Sequence, residues 1–277
     1  MREQPLAPAV DAHLADALAA LASQAAAAIL AIKPSGLATR LKSDSSPVTA
    51  ADEASDAVIA RGLSQILPGL PIVSEETTIQ PASLPPGASF ALVDPLDGTK
   101  EFLAGTNEFT VNIALVVDGR PVAGFISAPA LGLLYRGVVG RGAECLHLIP
   151  GALPAQASAI TAIRTRARPS EGMVATVSRS HLEAATDAFL ARLPVVERLS
   201  CGSALKFCRI ADGTADVYPR LSPTSEWDVA AGHALISAAG GFLTTPDGGP
   251  LSYGRAQVGY LVPGFVAWGD PVAAATR

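Results

Sequence analysis

Cysteine and histidine are scarce in this chain, with three and four residues among 277. The cysteines, Cys145, Cys201 and Cys208, are neither even in number nor spaced as CxxC pairs. This argues against a disulfide framework and predicts free thiols in a reducing compartment. The histidines are scattered, which argues against a histidine-rich zinc site. The composition therefore argues against a zinc enzyme.

Basic residues are also in deficit. Lysine and arginine number 20 against 25 acidic residues, so the formal net charge is −5. A surface that binds duplex nucleic acid needs clustered positive charge, and this composition argues against a nucleic-acid-binding protein. An acidic protein that handles phosphate groups needs local cations, which lysine, arginine or a metal ion must supply.

The apolar run ALAALASQAAAAILAI, residues 17 to 32, follows Asp11 and Asp16 instead of basic residues and is interrupted by Ser23 and Gln24. These features are typical of an alanine-rich amphipathic helix and not of a signal peptide or a membrane span. We therefore expect a cytoplasmic enzyme without a transmembrane segment. Peripheral association with the inner membrane stays open, as does the choice between a monomer and a homodimer.

Hydrophobic periodicity and turn residues divide the chain into two halves. The first half predicts a helix over 11 to 33, a helix from Thr49, strands at 71 to 76 and 90 to 93, and an antiparallel meander over 108 to 140. The pattern weakens between 143 and 172. The second half then alternates strands and helices up to a helix that ends at Gly240 and Gly241. We predict a layered fold, α+β in the first half and α/β in the second, with domains over residues 1–150 and 151–277.

The segment FALVDPLDGTKEF, residues 90 to 102, carries two carboxylates at the end of a buried strand. Pro95 fixes the backbone, so that Asp94 and Asp97 can face one side of a tight bend. The amides of Gly98 and Thr99 are suited to an anion. Two carboxylates a few ångströms apart repel by roughly 1 kcal/mol in water and about 4 kcal/mol at an effective dielectric of about 20. The pair must take up a proton or hold a cation, and oxygen ligands favour Mg²⁺ or Mn²⁺.

Structural roles compete with this interpretation at the other acidic positions. Thr49 and Asp52 have the spacing of a helix capping box, with aspartate in place of the usual glutamate. Glu75 and Glu76 are also typical of solvated loop charges, and Asp228 is suited to capping the helix that follows it. The two kinds of role are compatible at Asp52, which can cap a helix and also take up a proton.

Three motifs in this order, VSEE, DPLDGTKEF and WDVAAGHALISAAGG, resemble the lithium-sensitive, magnesium-dependent phosphatase superfamily that includes inositol monophosphatase. The resemblance covers nearly the whole chain and thins at the extreme N-terminus and near 143 to 172. The segments SDSSPVTAAD, EFTVNIAL, SRSH and GSALKFCRIADGTADVYPR are most similar to the bacterial CysQ-type 3′(2′),5′-bisphosphate nucleotidases. This resemblance implies an αβαβα sandwich with the active site between its halves. Most metal ligands would lie in the first domain, and the substrate-binding residues in the second.

The resemblance also implies a set of metal ligands. Two or three Mg²⁺ ions are expected, with Mn²⁺ as an alternative. Asp94 would bridge two ions, one of them shared with Glu75 and the backbone carbonyl of Leu96. The other ion would be shared with Asp97 and Asp228.

Catalytic and substrate-binding roles follow from the same resemblance. By this resemblance Thr99 and Asp52 would form the pair that activates the attacking water. Lys206 and Arg220 are cations suited to a second phosphate group, and Tyr218 is either a ring that stacks on adenine or a core tyrosine. The expected substrate contacts are Glu75, Leu96, Asp97, Gly98, Thr99, His181, Ser203, Lys206, Arg220 and Asp228.

The implied reaction is Mg²⁺-dependent hydrolysis of adenosine 3′,5′-bisphosphate to AMP and phosphate by metal-activated water, with 3′-phosphoadenylyl sulfate as a second candidate substrate. It would serve sulfur assimilation by removing an inhibitory nucleotide. Two alternatives stay open. One is an inositol monophosphatase or histidinol-phosphate phosphatase on the same fold, and the other is a non-catalytic nucleotide or phosphoinositide sensor. Lithium sensitivity is an expectation from the resemblance alone.

Overall fold

The computed structural model describes residues 9–32, 40–41, 47–76, 84, 87–179 and 183–270. The α-helices of this part of the chain are α1 Ala12–Leu30, α2 Ala50–Ile66, α3 Thr99–Leu103, α4 Ala184–Leu190, α5 Leu205–Ala211 and α6 Glu226–Ala239. The strands are β1 Arg40–Leu41, β2 Pro47–Val48, β3 Ile72–Ser74, β4 Ser89–Asp97, β5 Thr110–Val117, β6 Arg120–Ala128, β7 Leu133–Val138, β8 Gly142–His147, β9 Ala159–Ile163, β10 Met173–Ser178, β11 Val195–Cys201, β12 Val217–Arg220, β13 Thr224–Ser225, β14 Phe242–Thr244, β15 Leu261–Val262 and β16 Phe265–Trp268.

The first half forms a seven-stranded sheet in the order β3-β4-β5-β6-β7-β8-β9. β3 and β4 are parallel, and every later pair of neighbours is antiparallel, as in a meander of hairpins. The predicted turn at Asp118 and Gly119 connects β5 to β6, with both residues at positive φ (49° and 70°), which is typical of a tight hairpin. The predicted meander is confirmed.

This sheet continues farther than its sequence pattern indicates. Residues 143 to 172 have weak periodicity, yet β8 and β9 extend the sheet there as far as Ile163. β9 is an edge strand, and four of its five residues are exposed. The alternation of buried and exposed side chains that identifies a strand is therefore missing. The division of the chain at residue 150 stays a prediction.

The second half forms a five-stranded sheet in the order β11-β10-β12-β16-β14. β10 is parallel to β11 and to β12, as the predicted alternation of strands and helices requires. β16 runs antiparallel between β12 and β14, so the sheet is mixed. The sequence pattern does not predict β14, β15 and β16, because they are only two to four residues long.

Helices and sheets stack in five layers. α1 and α2 pack on one face of the seven-stranded sheet, α5 and α6 lie between the two sheets, and α4 covers the outer face of the five-stranded sheet. β12 illustrates the arrangement, since Val217 belongs to the core under α4 and Tyr218 to the core shared by α5 and α6. The expected αβαβα layering is confirmed.

A glycine in β6 allows α6 to lie directly on the sheet of the first half. A Cβ atom on Gly124 would be 2.2 Å from the backbone oxygen of Ala231 in α6, so no side chain fits between them. This close contact fixes α6, and with it Asp228 in its first turn, against the strands that carry the other carboxylates.

α1 is the helix that, among the residues described, is long and apolar enough by length and composition to cross a membrane. Asp11 caps its start by accepting a 2.8 Å hydrogen bond from the amide of Leu14. Half of its apolar window is buried within the fold, where Leu18 and Ile29 belong to the core beneath the seven-stranded sheet. Core helices of soluble proteins meet the same criteria of length and composition.

Candidate active site

The strand that carries the paired carboxylates bulges between them. Asp94 pairs with Asn112 of β5 and Asp97 pairs with Thr110, so that three steps along β4 match two along β5. Residues three apart on a regular strand face opposite sides, but residues paired across neighbouring strands share a face. The bulge therefore brings Asp94 and Asp97 to the same side of the sheet. Pro95 lies inside it, where the missing N–H is tolerated.

Asp94 is a buried carboxylate among other carboxylates. Its side chain is 1% exposed, and Oδ1 accepts a 3.1 Å hydrogen bond from the amide of Leu96. Burial, followed by the negative charges of Glu75, Asp97 and Asp228, raises the pKa of Asp94 well above its ordinary value. A carboxyl group in such a place carries a proton or holds a cation. The surrounding oxygen donors fit a hard divalent cation such as Mg²⁺.

Glu75, Asp97 and Asp228 line one cavity of about 310 Å³. The amide of Glu75 donates a 3.1 Å hydrogen bond to the carbonyl of Val93, which brings the end of β3 beside the end of β4. Asp228 lies in the first turn of α6 and accepts a hydrogen bond from the hydroxyl of Thr224. Burial and the charge of Asp97 raise the pKa of Asp228 to about 7.

The carboxylates converge on the cavity without forming a compact group. Within the described ranges, no three His, Cys, Asp or Glu side chains form a close metal-binding cluster. Asp97 accepts a 2.8 Å hydrogen bond from Ser203, and Asp228 has its contact with Thr224. The N-cap of α6 is Ser225, so the interpretation of Asp228 as a simple helix cap is wrong.

Asp52 caps α2 and also contacts Thr99. Its Oδ2 accepts hydrogen bonds from the amide of Thr49 at 2.8 Å and from the hydroxyl of Thr49 at 2.7 Å, which confirms the predicted capping box. The hydroxyl of Thr99 lies 3.2 Å from Asp52 Oδ1 and 3.2 Å from the carbonyl oxygen of Leu96. Burial outweighs the hydrogen bonds from Thr49 and raises the pKa of Asp52.

Gly98 forms the turn from β4 into α3. Its φ of 90° lies in the left-handed region, which glycine adopts without strain. A Cβ atom at this position would be 3.2 Å from the carbonyl oxygen of Glu108 and 3.3 Å from the Cα atom of Phe109. Gly98 and Thr99 both line the cavity.

Three expected substrate contacts from the second half, Ser203, Lys206 and Arg220, line the same cavity. Lys206 is only 5% exposed. Its Nζ donates to the carbonyl of Ser203 at 2.6 Å and to that of Cys201 at 3.3 Å. The ammonium group thus holds backbone oxygens in this structure, and the substrate contact predicted for it stays a prediction.

A second cavity of about 270 Å³ adjoins the first at Arg220. The residues common to both cavities are Ser178, Lys206, Tyr218 and Arg220. Tyr218 is 4% exposed and packs edge-on against Phe207 at 5.0 Å between ring centroids, which favours the core interpretation. His181 lies outside the described residues, and its role stays a prediction.

Two acidic residues beside the site, Glu226 and Glu108, are not predicted from the sequence. Glu226 is fully buried and accepts hydrogen bonds from the amides of Gly254 (2.6 Å) and Arg255 (2.9 Å), and its burial raises its pKa. Glu108 has partners 71 and 94 residues away along the chain. Their positions in the sequence could have identified them, because Glu226 directly precedes the motif WDVAAG and Glu108 begins the segment EFTVNIAL.

The fold and the carboxylate cavity together place the protein in a known class, and the chain belongs to the inositol monophosphatase family, whose profile matches residues 11–275. Within that family it is similar to proteins of the CysQ type. The chain is 40% identical over 232 residues to the 3′(2′),5′-bisphosphate nucleotidase CysQ of Escherichia coli (strain K12), over 81% of this chain and 86% of the relative.

Solved structures agree with this relationship. CysQ from Bacteroides thetaiotaomicron, a bacterial member of the inositol monophosphatase family, matches with a TM-score of 0.77 and 35% identity, over 93% of this chain and 97% of that chain. An inositol monophosphatase from Zymomonas mobilis is 26% identical and matches with a TM-score of 0.70, over 96% of this chain and 97% of that chain. The predicted family, fold and similarity to the CysQ type are confirmed.

Proposed function

We propose that this protein is a Mg²⁺-dependent 3′(2′),5′-bisphosphate nucleotidase that converts adenosine 3′,5′-bisphosphate to AMP and phosphate. The observation that carries the proposal is the continuation of the carboxylate-lined cavity past Arg220 into a second cavity. A substrate whose reacting phosphate lies at the carboxylates can extend its remaining parts past Arg220. A guanidinium group suits a second phosphate through paired hydrogen bonds.

The 40% identity to a CysQ nucleotidase supports the same reaction. We also propose 3′-phosphoadenylyl sulfate as a second substrate, together with a role in sulfur assimilation, a cytoplasmic location and sensitivity to lithium. An inositol monophosphatase or a histidinol-phosphate phosphatase would use the same carboxylates. The substrates of those two enzymes carry a single phosphate group and have no second phosphate for Arg220 to bind. This favours the nucleotide as the substrate.

The metal ligands in this proposal are Glu75, Asp94, Asp97, Asp228 and the carbonyl of Leu96, holding two or three Mg²⁺ ions. Bound Mg²⁺ supplies a water of lowered pKa and offsets the negative charge of the phosphoryl group. The support for these ligands is Asp94, a buried carboxylate with other carboxylates around it. A cation removes the repulsion that otherwise raises the pKa of this group.

Thr99 and Asp52 orient the attacking water and take up its proton. The Thr99 hydroxyl, 3.2 Å from Asp52 Oδ1, can donate to that carboxylate while its own oxygen accepts a hydrogen bond from water. The proton lost by the water then passes through Thr99 to Asp52. Thr49 keeps Asp52 in place, because its amide and hydroxyl both bind Oδ2.

The experiment is phosphate release from adenosine 3′,5′-bisphosphate by the purified protein with and without Mg²⁺. We expect Mg²⁺-dependent turnover that Asp94→Asn abolishes, which would also exclude a non-catalytic sensor. Arg220→Gln should raise KM for the bisphosphate about tenfold or more, since a charge-assisted contact contributes about 1.5 kcal/mol or more. Arg198→Gln, which removes an exposed arginine paired with Asp187, is the matched control. An unchanged KM in Arg220→Gln would contradict the assignment of Arg220.

A further inference from the structure

We propose that Glu108 is a positioning residue that fixes the loop of residues 202–204, between β11 and α5, against Asp97 and thereby sets the affinity of the carboxylate site for Mg²⁺. The inference rests on the proposed function, in which Asp97 is a metal ligand. Glu108 itself is not among the residues that line the active-site cavity.

The backbone of Glu108 packs against two glycines of the site, Gly98 and Gly202. A Cβ atom on Gly98 would be 3.2 Å from the carbonyl oxygen of Glu108, and a Cβ atom on Gly202 would be 2.8 Å from the same oxygen. The turn after the paired aspartates and the 202–204 loop therefore both pack against one residue. A shift of Glu108 displaces both of them.

The side chain of Glu108 binds the 202–204 loop directly. Oε2 accepts a 2.8 Å hydrogen bond from the amide of Gly202 and a 2.9 Å hydrogen bond from Nε of Arg179. Oε1 accepts a 2.6 Å hydrogen bond from the terminal guanidinium nitrogen of Arg179, which also lies 3.3 Å from the carbonyl oxygen of Ser200. One carboxylate thus joins the approach to β5 with the ends of β10 and β11.

Two alternate residues, Glu108 just before β5 and Thr110 at its start, bind consecutive residues of the loop. Glu108 binds the amide of Gly202, and the hydroxyl of Thr110 lies 2.5 Å from that of Ser203. Phe109 between them packs edge-on against Phe102 of α3, with ring centroids 5.2 Å apart. The period-two alternation of an extended chain therefore gives this segment one face for the core and one for the loop.

Ser203 is the link from the loop to Asp97. It has a φ of 53°, a left-handed conformation that is strained for a non-glycine residue. In this conformation its hydroxyl donates a 2.8 Å hydrogen bond to Oδ2 of Asp97. Without the anchor at Gly202, Ser203 can relax to negative φ and release Asp97. Loss of a group that orients a metal ligand typically weakens metal binding about 10- to 100-fold.

The test is a calorimetric titration of the purified full chain with Mg²⁺, without substrate, alongside thermal unfolding without Mg²⁺. Glu108→Ala should raise the Kd for Mg²⁺ about tenfold or more. Glu108→Gln keeps an oxygen for the Gly202 amide and should stay within about threefold of the original Kd. Arg179→Met removes an exposed ion pair and the contact with the Ser200 carbonyl but leaves the bond from the Gly202 amide to Glu108, and it should have a similarly small effect. Glu144→Ala, which breaks the distant pair with Arg136, is the control.

A second variant tests the same inference if Glu108→Ala does not fold. Ser203→Gly keeps the left-handed backbone without strain but removes the hydroxyl, and it should weaken Mg²⁺ binding by a similar factor. An unchanged Kd in Glu108→Ala, whatever its thermal stability, would overturn the inference alone, as would an unchanged Kd in Ser203→Gly. Failure of the unaltered chain to bind Mg²⁺ would overturn the proposed function and this inference together, so the two failures are distinguishable.

Discussion

The hydroxyl of Thr99 lies 3.2 Å from Oδ1 of Asp52, 47 residues earlier in the chain, while Oδ2 of the same carboxylate accepts both hydrogen bonds from Thr49. One side chain therefore fixes the start of α2 against the start of α3. In the proposed reaction the same group also takes up a proton. Its structural and chemical contributions are separable, because each uses a different carboxylate oxygen.

Replacing Asp52 should affect catalysis far more than folding. We expect Asp52→Asn to lower kcat by about 10²- to 10⁴-fold, the usual contribution of general base catalysis. The amide oxygen of asparagine can still accept from the Thr49 amide, so the free energy of unfolding should change little. Asp11→Ala, which removes the N-cap hydrogen bond of α1, is the control, with a cost of about 1 kcal/mol in stability and little change in kcat. Steady-state kinetics and urea unfolding give both quantities, and normal kcat in Asp52→Asn would contradict the mechanism.

Replacing Asp94 should stabilise the protein when no metal is present. An asparagine side chain carries no charge, and Asp94→Asn therefore removes repulsion from Glu75 and Asp97 while an oxygen remains for the amide of Leu96. In EDTA at pH 8 we expect the variant to have the higher unfolding free energy, because both the burial and the neighbouring negative charges that raise the pKa of Asp94 disfavour a charged group at this position but not a neutral amide. In excess Mg²⁺ the order should reverse, since the original protein gains from binding. Urea unfolding of both proteins in the two buffers measures these differences. A variant less stable than the original protein in EDTA would contradict the prediction.

His233 should make stability depend on pH between about 6.5 and 4. This half-buried side chain lies 2.9 Å from the hydroxyl of Tyr253, and burial lowers its pKa from 6.5 to about 4. The unfolded chain takes up a proton at His233 near pH 6.5, whereas the folded protein does so only near pH 4. Stability is therefore lost as pH falls through this window, by up to about 3 kcal/mol.

The test for His233 compares unfolding free energies at several pH values in the original protein and in His233→Gln. The variant should lose less stability than the original protein between pH 6.5 and 4. His147→Gln, at an exposed histidine, should follow the original curve. Identical pH profiles for the original protein and His233→Gln would show that burial does not suppress protonation at this residue.

Gly124→Ala should strongly destabilise the fold. A methyl group there would be 2.2 Å from the carbonyl oxygen of Ala231, so α6 must move away from the sheet. We expect a cost of about 3 kcal/mol or more, at the upper end of overpacking effects. Gly140→Ala is the comparison, because no atom lies within 4 Å of the added methyl group. Its φ of 83° strains an alanine, so this variant should cost only about 1 kcal/mol. Denaturant unfolding measures both, and equal costs would argue against the close contact of α6.

Local spacing made much of this fold and site predictable. The meander over 108 to 140, the strand before Asp94 and the capping box of Thr49 and Asp52 all depend on residues close in sequence. Their patterns persist in the folded chain because the capping box closes within one turn and these strands pair with strands that are neighbours in sequence. The edge strand β9 is not predicted, because four of its five residues are exposed and the alternation of buried and exposed side chains is missing.

Long-range contacts cannot be predicted from local spacing. The sequence shows that Lys206 is a cation near the site, but not that its ammonium group is buried against two carbonyl groups. The bond between Glu108 and Gly202 spans 94 residues and depends on how the two sheets meet. Neither residue type nor periodicity indicates such a partner, since it is set by tertiary packing.

The most direct test of the account is phosphate release with Mg²⁺ from adenosine 3′,5′-bisphosphate and from inositol 1-phosphate, each over a concentration series. We predict a kcat/KM at least about tenfold higher on the nucleotide, which corresponds to about 1.4 kcal/mol of transition-state discrimination. The reverse ratio would leave the carboxylate site and its Thr99–Asp52 pair in place but would contradict the assignment of this protein as a nucleotidase.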